Sequence, residues 1–303
     1  MSLVKEYVEL HFITVLWGFT AVLGLLIEIP VVEMVFYRTL VAAIGLFLLV
    51  YYRGFRFNIG TRAILKISAT GLIFAAHWIL FFASARESNA SVSLVGFATT
   101  TFWISLLEPM VTKSKFRGFE VLIGVVIIGG IYFISKAEIN YMLGLSLGIG
   151  SAILAAFFVV LNKNFIKKYN PFVITFYEMA GACLATVLFF PFYLKWISES
   201  GSLNLTPNLL DWLYITILAL VCSVYAYSIY VQLMEKLSAY AVSLVVNLEP
   251  VYGIILAVLI FGESEKMGSG FYIGSAIILG AVLSYPLINK RMNGKSLEIE
   301  NIR

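Results

Sequence analysis

The stretch VSLVGFATTTFWISLLEPMVTKSKFRGFEVLIGVVIIGGIYF, Val92 to Phe133, returns 150 residues later as VSLVVNLEPVYGIILAVLIFGESEKMGSGFYIGSAIILGAVL, Val242 to Leu283. The two align without a gap and are identical at 13 of 42 positions. Apolar composition inflates such matches, but three glycine coincidences, Gly118 with Gly268, Gly124 with Gly274 and Gly130 with Gly280, are harder to obtain by accident. A second register, offset by 140, sets FYR (Phe36, Tyr37, Arg38) on FYE (Phe176, Tyr177, Glu178). The chain therefore reads as two related halves, 1–137 and 138–288, followed by a C-terminal tail, 289–303, expected to fray in the cytoplasm.

Composition fixes the solvent for these halves. Of 303 residues 61% are hydrophobic and only 13% charged, and the mean hydropathy is +0.94. That leaves too little polar surface to wrap a water-soluble globule of this size, so the chain reads as an integral membrane protein. The net charge of +4 is modest, which disfavours a nucleic-acid partner. Cys183 and Cys222 both lie in apolar runs without a CxxC or Cys/His cluster, so they read as small core residues and not as a disulfide, metal or redox site. No cofactor motif is evident.

A hydrocarbon core of about 30 Å needs about 20 apolar residues of helix. Ten such runs are present, near 10–27, 32–52, 63–84, 91–111, 117–135, 142–161, 171–193, 210–233, 240–261 and 269–288. The first has no obvious cleavage site and reads as a membrane helix, not a signal peptide. Ten spans put both termini on one side. With the termini inside, sixteen Lys/Arg fall in cytoplasmic positions against four outside, which places the protein in the cell (inner) membrane with cytoplasmic ends. Because each half has five spans, the second is inserted upside down relative to the first. The expected fold is thus all-α, ten transmembrane helices as two inverted five-helix repeats. Such repeats let one pattern be held in two conformations that open a midplane site to alternate sides.

In this order, LWGF (Leu16 to Phe19) in the first span, FYR in the second, NLEP (Asn247 to Pro250) and FGE (Phe261 to Glu263) about the ninth, and glycine-rich fifth and tenth spans, the sequence resembles the drug/metabolite transporter superfamily, EamA type. The resemblance covers nearly the whole chain. It implies a proton-linked or facilitative exporter of small metabolites with a central cavity built from both halves.

Glu249 lies about nine residues into the ninth span, near the midplane, where an ionised group is costly unless it faces a cavity or a partner. It reads as a contact for a cation or amine or as a proton carrier, against the plainer alternative of a protonated side chain bonded across a helix interface. Pro250 is expected to free the Val246 carbonyl inside that helix and act as a hinge. In the gapless register Glu249 and Pro250 face Thr99 and Thr100, so the first half lacks the central carboxylate and proline. A second LEP, at Leu107 to Pro109, is out of register, and Glu108 reads as interfacial beside Lys113 and Lys115. Arg38 and Glu178 occupy equivalent repeat positions: Arg38 balances between snorkelling and gating, whereas the shorter Glu178 leans to function. His77 could relay protons or donate to substrate, and the 150-residue offset pairs it with Tyr227. Trp17, Trp103, Tyr225, Tyr227, Tyr230, Asn162 and Asn247 could line an amphipathic site. GLSLG (Gly144 to Gly148) and GFYIG (Gly270 to Gly274) are small-residue faces suited to packing inside the bundle or at a homodimer seam.

The leading expectation is a secondary transporter, ion-coupled or facilitative, exporting amino acids or similar small metabolites, with the lipid bilayer and protons as further partners. Carriers of phosphorylated or nucleotide-linked solutes need several cavity cations, and only Arg38 qualifies. An intramembrane hydrolase is disfavoured: the two histidines form no H-E-x-x-H, and GLSLG, though of G-x-S-x-G form, lies within an apolar span and reads as a packing face. A purely structural subunit would have no use for charges at mid-depth.

Overall fold

The structure is a computed structural model, and it describes residues 4–112, 118–137, 139–237, 242 and 245–300. Every regular element described is a helix: α1 (Val4–Leu26), α2 (Val31–Tyr52), α3 (Thr61–Glu87), α4 (Ala90–Ala98), α5 (Thr100–Thr112), α6 (Gly118–Ala137), α7 (Met142–Ile166), α8 (Pro171–Trp196), α9 (Leu209–Thr216), a π-helical segment Ile217–Tyr225, α10 (Ala226–Lys236), α11 (Glu249–Phe261) and α12 (Ser269–Glu300). Two membrane segments are therefore composite. Helices α4 and α5 make one, and α9, the π segment and α10 make another. Among the described residues, seven segments are long and apolar enough to cross a membrane, while Gly118–Ile134 and Ser269–Tyr285 are shorter apolar helices. With α11 these give ten membrane segments of an all-α integral membrane protein.

Local chemistry explains where several helices start. The Asn89 side chain accepts from the Val92 N–H at 2.9 Å and caps α4. Asn170 does the same for Phe172 at 2.9 Å, with Pro171 in the first turn of α8, where its missing N–H is harmless. Asn208 and Asp211 form a reciprocal capping box at α9. The tail behaves differently from expectation. Helix α12 continues without interruption to Glu300, through Asn293 and Gly294, and no proline follows Pro286 to stop it.

Large apolar side chains such as Phe12, Phe47, Leu72, Leu122, Leu188 and Leu259 point outward on most of the helices. This surface suits lipid, where packing between helices depends on close contact and not on exclusion of water. Helix α1 packs on α11, and α7 on α4 and α5. Helix α3 packs on α7 and α8, α2 on α8, and α6 on α12. Exchanging the first five segments for the second five turns the α1–α11 pair into the α7–α4/α5 pair and maps α6–α12 and α2–α8 onto themselves.

Small residues make the closest of these crossings. A Cβ added to Gly18 would lie 2.7 Å from the Glu249 carbonyl oxygen and 2.7 Å from the Gly253 nitrogen, so the glycine of LWGF is what lets α1 cross the start of α11. Gly148 of GLSLG meets Gly96 and Ser93, and Gly274 of GFYIG meets Gly130 and Ile134. The choice between bundle packing and dimer seam is thus decided for these two glycines in favour of the bundle.

At the end of the bundle where α1 finishes, polar side chains tie the helices together. Glu265, 1% exposed, accepts from the Ala90 and Ser91 N–H groups at the start of α4, each at 3.0 Å. Arg86 donates to the Ile27 carbonyl at 2.7 Å, satisfying an orphan acceptor past the end of α1. Asp211 accepts from the Glu28 N–H at 2.7 Å.

Candidate functional site

Two helices are interrupted near mid-depth, at positions that fall within two residues of each other in the 150-residue register. The α4/α5 segment breaks at Thr99, about 13 Å from its start at Ala90. The ninth segment is helical at Val245 and Val246, turns at Asn247 and Leu248, and resumes as α11 at Glu249. In the 150-residue register Thr99 and Thr100 correspond to Glu249 and Pro250. Pro250 therefore sits in the first turn of a helix and does not release the Val246 carbonyl from the middle of a continuous one, as the sequence had suggested. The reason is the turn itself: the Leu248 N–H bonds back to the Val245 carbonyl at 2.9 Å and ends the regular ladder before the proline is reached.

The first half breaks without carboxylate or proline. Thr99 Oγ1 donates to the Gly96 carbonyl at 2.7 Å and Thr100 Oγ1 to the Phe97 carbonyl at 2.6 Å, so hydroxyls take up carbonyls at the interruption. Trp103 Nε1 donates to Thr99 Oγ1 at 3.1 Å. The two breaks touch: Thr101 Oγ1 donates to Asn247 Oδ1 at 3.1 Å, while the Asn247 Nδ2 amide is buried without a partner. Among the expected residues, Trp103, Asn247, Glu249 and Pro250 are thus assembled at one crossing.

Helix α3 carries a second polar line beside it. Its Thr70 hydroxyl donates to Glu178 Oε1 at 3.2 Å, and the Asn162 amide lies against the same carboxylate, with Asn162 Oδ1 left without a partner. Tyr227 lies against Thr175, close to Glu178. Two turns further along α3, His77 Nδ1 is 2.7 Å from Ser151 Oγ, and its ring stacks on Phe97 at 5.4 Å, next to the Thr99 break. His77 and Tyr227 thus serve different clusters, although the repeat register pairs them.

Arg38 does not snorkel. It is 4% exposed, its guanidinium carbon lies 3.5 Å from the centre of the Trp78 ring, and Nη2 donates to Ser223 Oγ at 3.2 Å. Ser223 belongs to the π segment, and its own hydroxyl donates to the Leu218 carbonyl five residues back at 2.9 Å. Trp17 Nε1 reaches the Cys222 carbonyl of the same segment at 3.0 Å, and the Trp17 ring meets Tyr230 edge-on at 5.4 Å. Tyr225, by contrast, is 47% exposed on the outer surface of the π segment and takes no part in these clusters. Lys113 and Lys115, the expected neighbours of Glu108, lie outside the described residues.

Sequence reasoning missed Thr70, Ser151, Ser223, the threonines at the first break and the π segment. The run Thr99–Thr101 facing Glu249, Pro250 and Val251 was the available signal. Nothing in residue type announces the π geometry.

A curated relative from Haemophilus influenzae, described as an uncharacterized transporter, is 25% identical over 274 residues, covering 82% of this chain and 84% of the relative. A protein of known crystal structure superposes with a TM-score of 0.62 at 14% identity, over 96% of this chain and 99% of the other, a likeness of fold. The EamA-like transporter family matches twice in tandem, over residues 10–136 and 142–285, so nearly the whole chain is accounted for and the protein belongs to the EamA-like transporter family.

Proposed function

We propose that this family member is a secondary transporter, ion-coupled or facilitative, that exports amino acids or similar small metabolites by alternating access. The observation that carries the reading is the contact of two interrupted helices, one from each half, at Thr101 and Asn247. Interrupted membrane helices expose backbone polar groups where a site or pathway needs them, and repeat proteins place such interruptions at the interface of the repeats. The halves are 1–137 and 138–288, inverted relative to each other, with the segment 289–303 on the cytoplasmic side and both termini inside the cell membrane. Under that topology the Glu265 and Arg86 links close the outer end.

In this reading Glu249 and Glu178 supply the carboxylates that bind protons or the substrate ammonium, and Asn247, Asn162, His77, Trp103 and Tyr227 supply donors and walls. Trp17 and Arg38 flank the π segment, and Pro250 starts the half-helix that re-aims between states. Amino acids are favoured because carboxylates and aromatic rings outnumber cations in the spans, and a lone Arg38 is a poor match for a phosphorylated solute.

Counterflow of a labelled amino-acid mixture into proteoliposomes tests this directly, with empty liposomes and Glu249→Gln in parallel. Wild-type uptake above the empty control, lost or stripped of its pH dependence in the variant, is the expected result. Wild-type counterflow that the variant reproduces across pH 5 to 8 would remove Glu249 from the mechanism, and none in the wild type would remove amino acids from the substrate class.

A further inference from the structure

Arg38 is a buried cation that the described residues leave without a carboxylate partner. Among the described residues, no Asp or Glu lies within ion-pair distance of it, and its Nε is buried without any hydrogen-bond partner. Its neighbours are the Trp78 face, the Phe82 ring at 5.5 Å, the Ser223 hydroxyl and the Cys222 segment. Aromatic faces lower the cost of burying a guanidinium but do not neutralise it, and a charge deep in a membrane protein is retained where something pairs with it. The Trp78 ring beneath the guanidinium carbon and the Ser223 hydroxyl on Nη2 hold the group, and its Nε–H is left for a ligand. Planar donors of that kind select carboxylates, which they bind through two parallel hydrogen bonds.

From this we infer that Arg38, held by Trp78 and by Ser223 of the π segment, is the subsite for the carboxylate of a small solute that carries one such group. The inference rests on the transporter reading above and gives one end of the substrate its chemistry. Depth supports a division of labour. Arg38 stacks at Trp78 and Glu178 bonds at Thr70, eight residues apart on α3 and so about 12 Å along its axis. That is too far for both to hold the two charges of one small amino acid at once. Arg38 therefore takes the carboxylate, and Glu178 acts elsewhere on the path.

The test uses the full-length protein in nanodiscs and reads tryptophan emission, with Trp78→Phe to identify the share that reports from the stack. The probes are phenylalanine, 3-phenylpropanoate, which keeps the carboxylate without the amine, and phenylalaninamide, which keeps the amine without the carboxylate. The two carboxylates are expected to saturate a signal that Trp78→Phe removes, the amide to give none, and Arg38→Lys to weaken binding at least about tenfold through loss of the bidentate edge. Ser223→Ala keeps the charge and serves if replacing Arg38 spoils folding. It is expected to weaken both carboxylates about threefold or more by freeing the guanidinium from its orientation. Equal binding of amide and carboxylates, binding indifferent to both variants, or no binding of either carboxylate overturns the subsite. Counterflow with the same preparations separates the two readings. Transport of amines by a protein that ignores carboxylates keeps the carrier and discards the subsite, while binding at Arg38 without any transport does the reverse.

Discussion

Gly18 shows how one missing methyl positions the site. Helix α1 runs across the first turn of α11 with backbone against backbone, and a Cβ there would sit 2.7 Å from the Glu249 carbonyl oxygen. Backbone cannot swing aside as a flexible side chain can, so Gly18→Ala is expected to lower stability by about 1–3 kcal/mol, seen as a lower melting temperature in detergent. An unchanged melting temperature would mean that α1 does not cross so closely. Thr101→Val addresses the contact between the broken helices. Its lost hydrogen bond is worth about 1 kcal/mol, so a fall in transport of about fivefold with only a small drop in melting temperature is expected, whereas unchanged rates would take the contact out of the transport path. At this scale the sequence was informative about charge and poor about hydroxyls. Glu249, Glu178 and Arg38 stand out because ionisable groups are rare in spans. Thr99 and Thr100 bond to carbonyls of their own helix, a habit threonine also shows in unbroken helices, and so gave no warning of a break.

Among elements, the positions of the spans were legible because each is an apolar run bounded by loop residues, and the structure extends most of them by only a few residues. What hydropathy cannot register is helix quality. The π segment Ile217–Tyr225 is as apolar as ordinary helix, and the turn at Asn247 and Leu248 lies within an otherwise apolar run, so only hydrogen-bond geometry distinguishes them. The contact of Glu265 with α4 was equally hidden, since it joins residues 175 apart. Its carboxylate faces two N–H groups at a helix N-terminus, a favourable pairing of anion and dipole. Glu265→Ala should therefore cost about 2 kcal/mol and loosen this end of the bundle. A cysteine at Ser91, buried in the wild type, should become labelled from outside more rapidly in the Glu265→Ala background. Equal labelling in both backgrounds would show that Glu265 is not part of the closure.

Across the whole molecule, the repeat relates contacts as well as residues. Gly130 of α6 lies against Gly274 of α12, with an added Cβ on Gly130 falling 2.9 Å from the Gly274 carbonyl oxygen. The 150-residue register sends Gly130 to Gly280 and Gly274 to Gly124, so the mate of this contact is a Gly280–Gly124 approach. That approach is absent. Nothing lies within 4 Å of a Cβ on Gly280, and the space beside it is an apolar groove of about 390 Å³ lined by Leu122, Ile123, Val126, Ala276, Ile277 and their neighbours. The seam between α6 and α12 is shut toward the end closed by Glu265 and parted toward the other. If alternating access exchanges the conformations of the halves, the second state shuts the seam at Gly124 and Gly280 and parts it at Gly130 and Gly274. Gly280→Leu should then fold and melt like the wild type, since its side chain enters open space, yet lose most transport by propping the seam open. Gly129→Leu, at a position that is equally open but off the seam, should leave both melting and transport intact. Normal counterflow by Gly280→Leu would show that the groove never closes and that the halves exchange along some other interface.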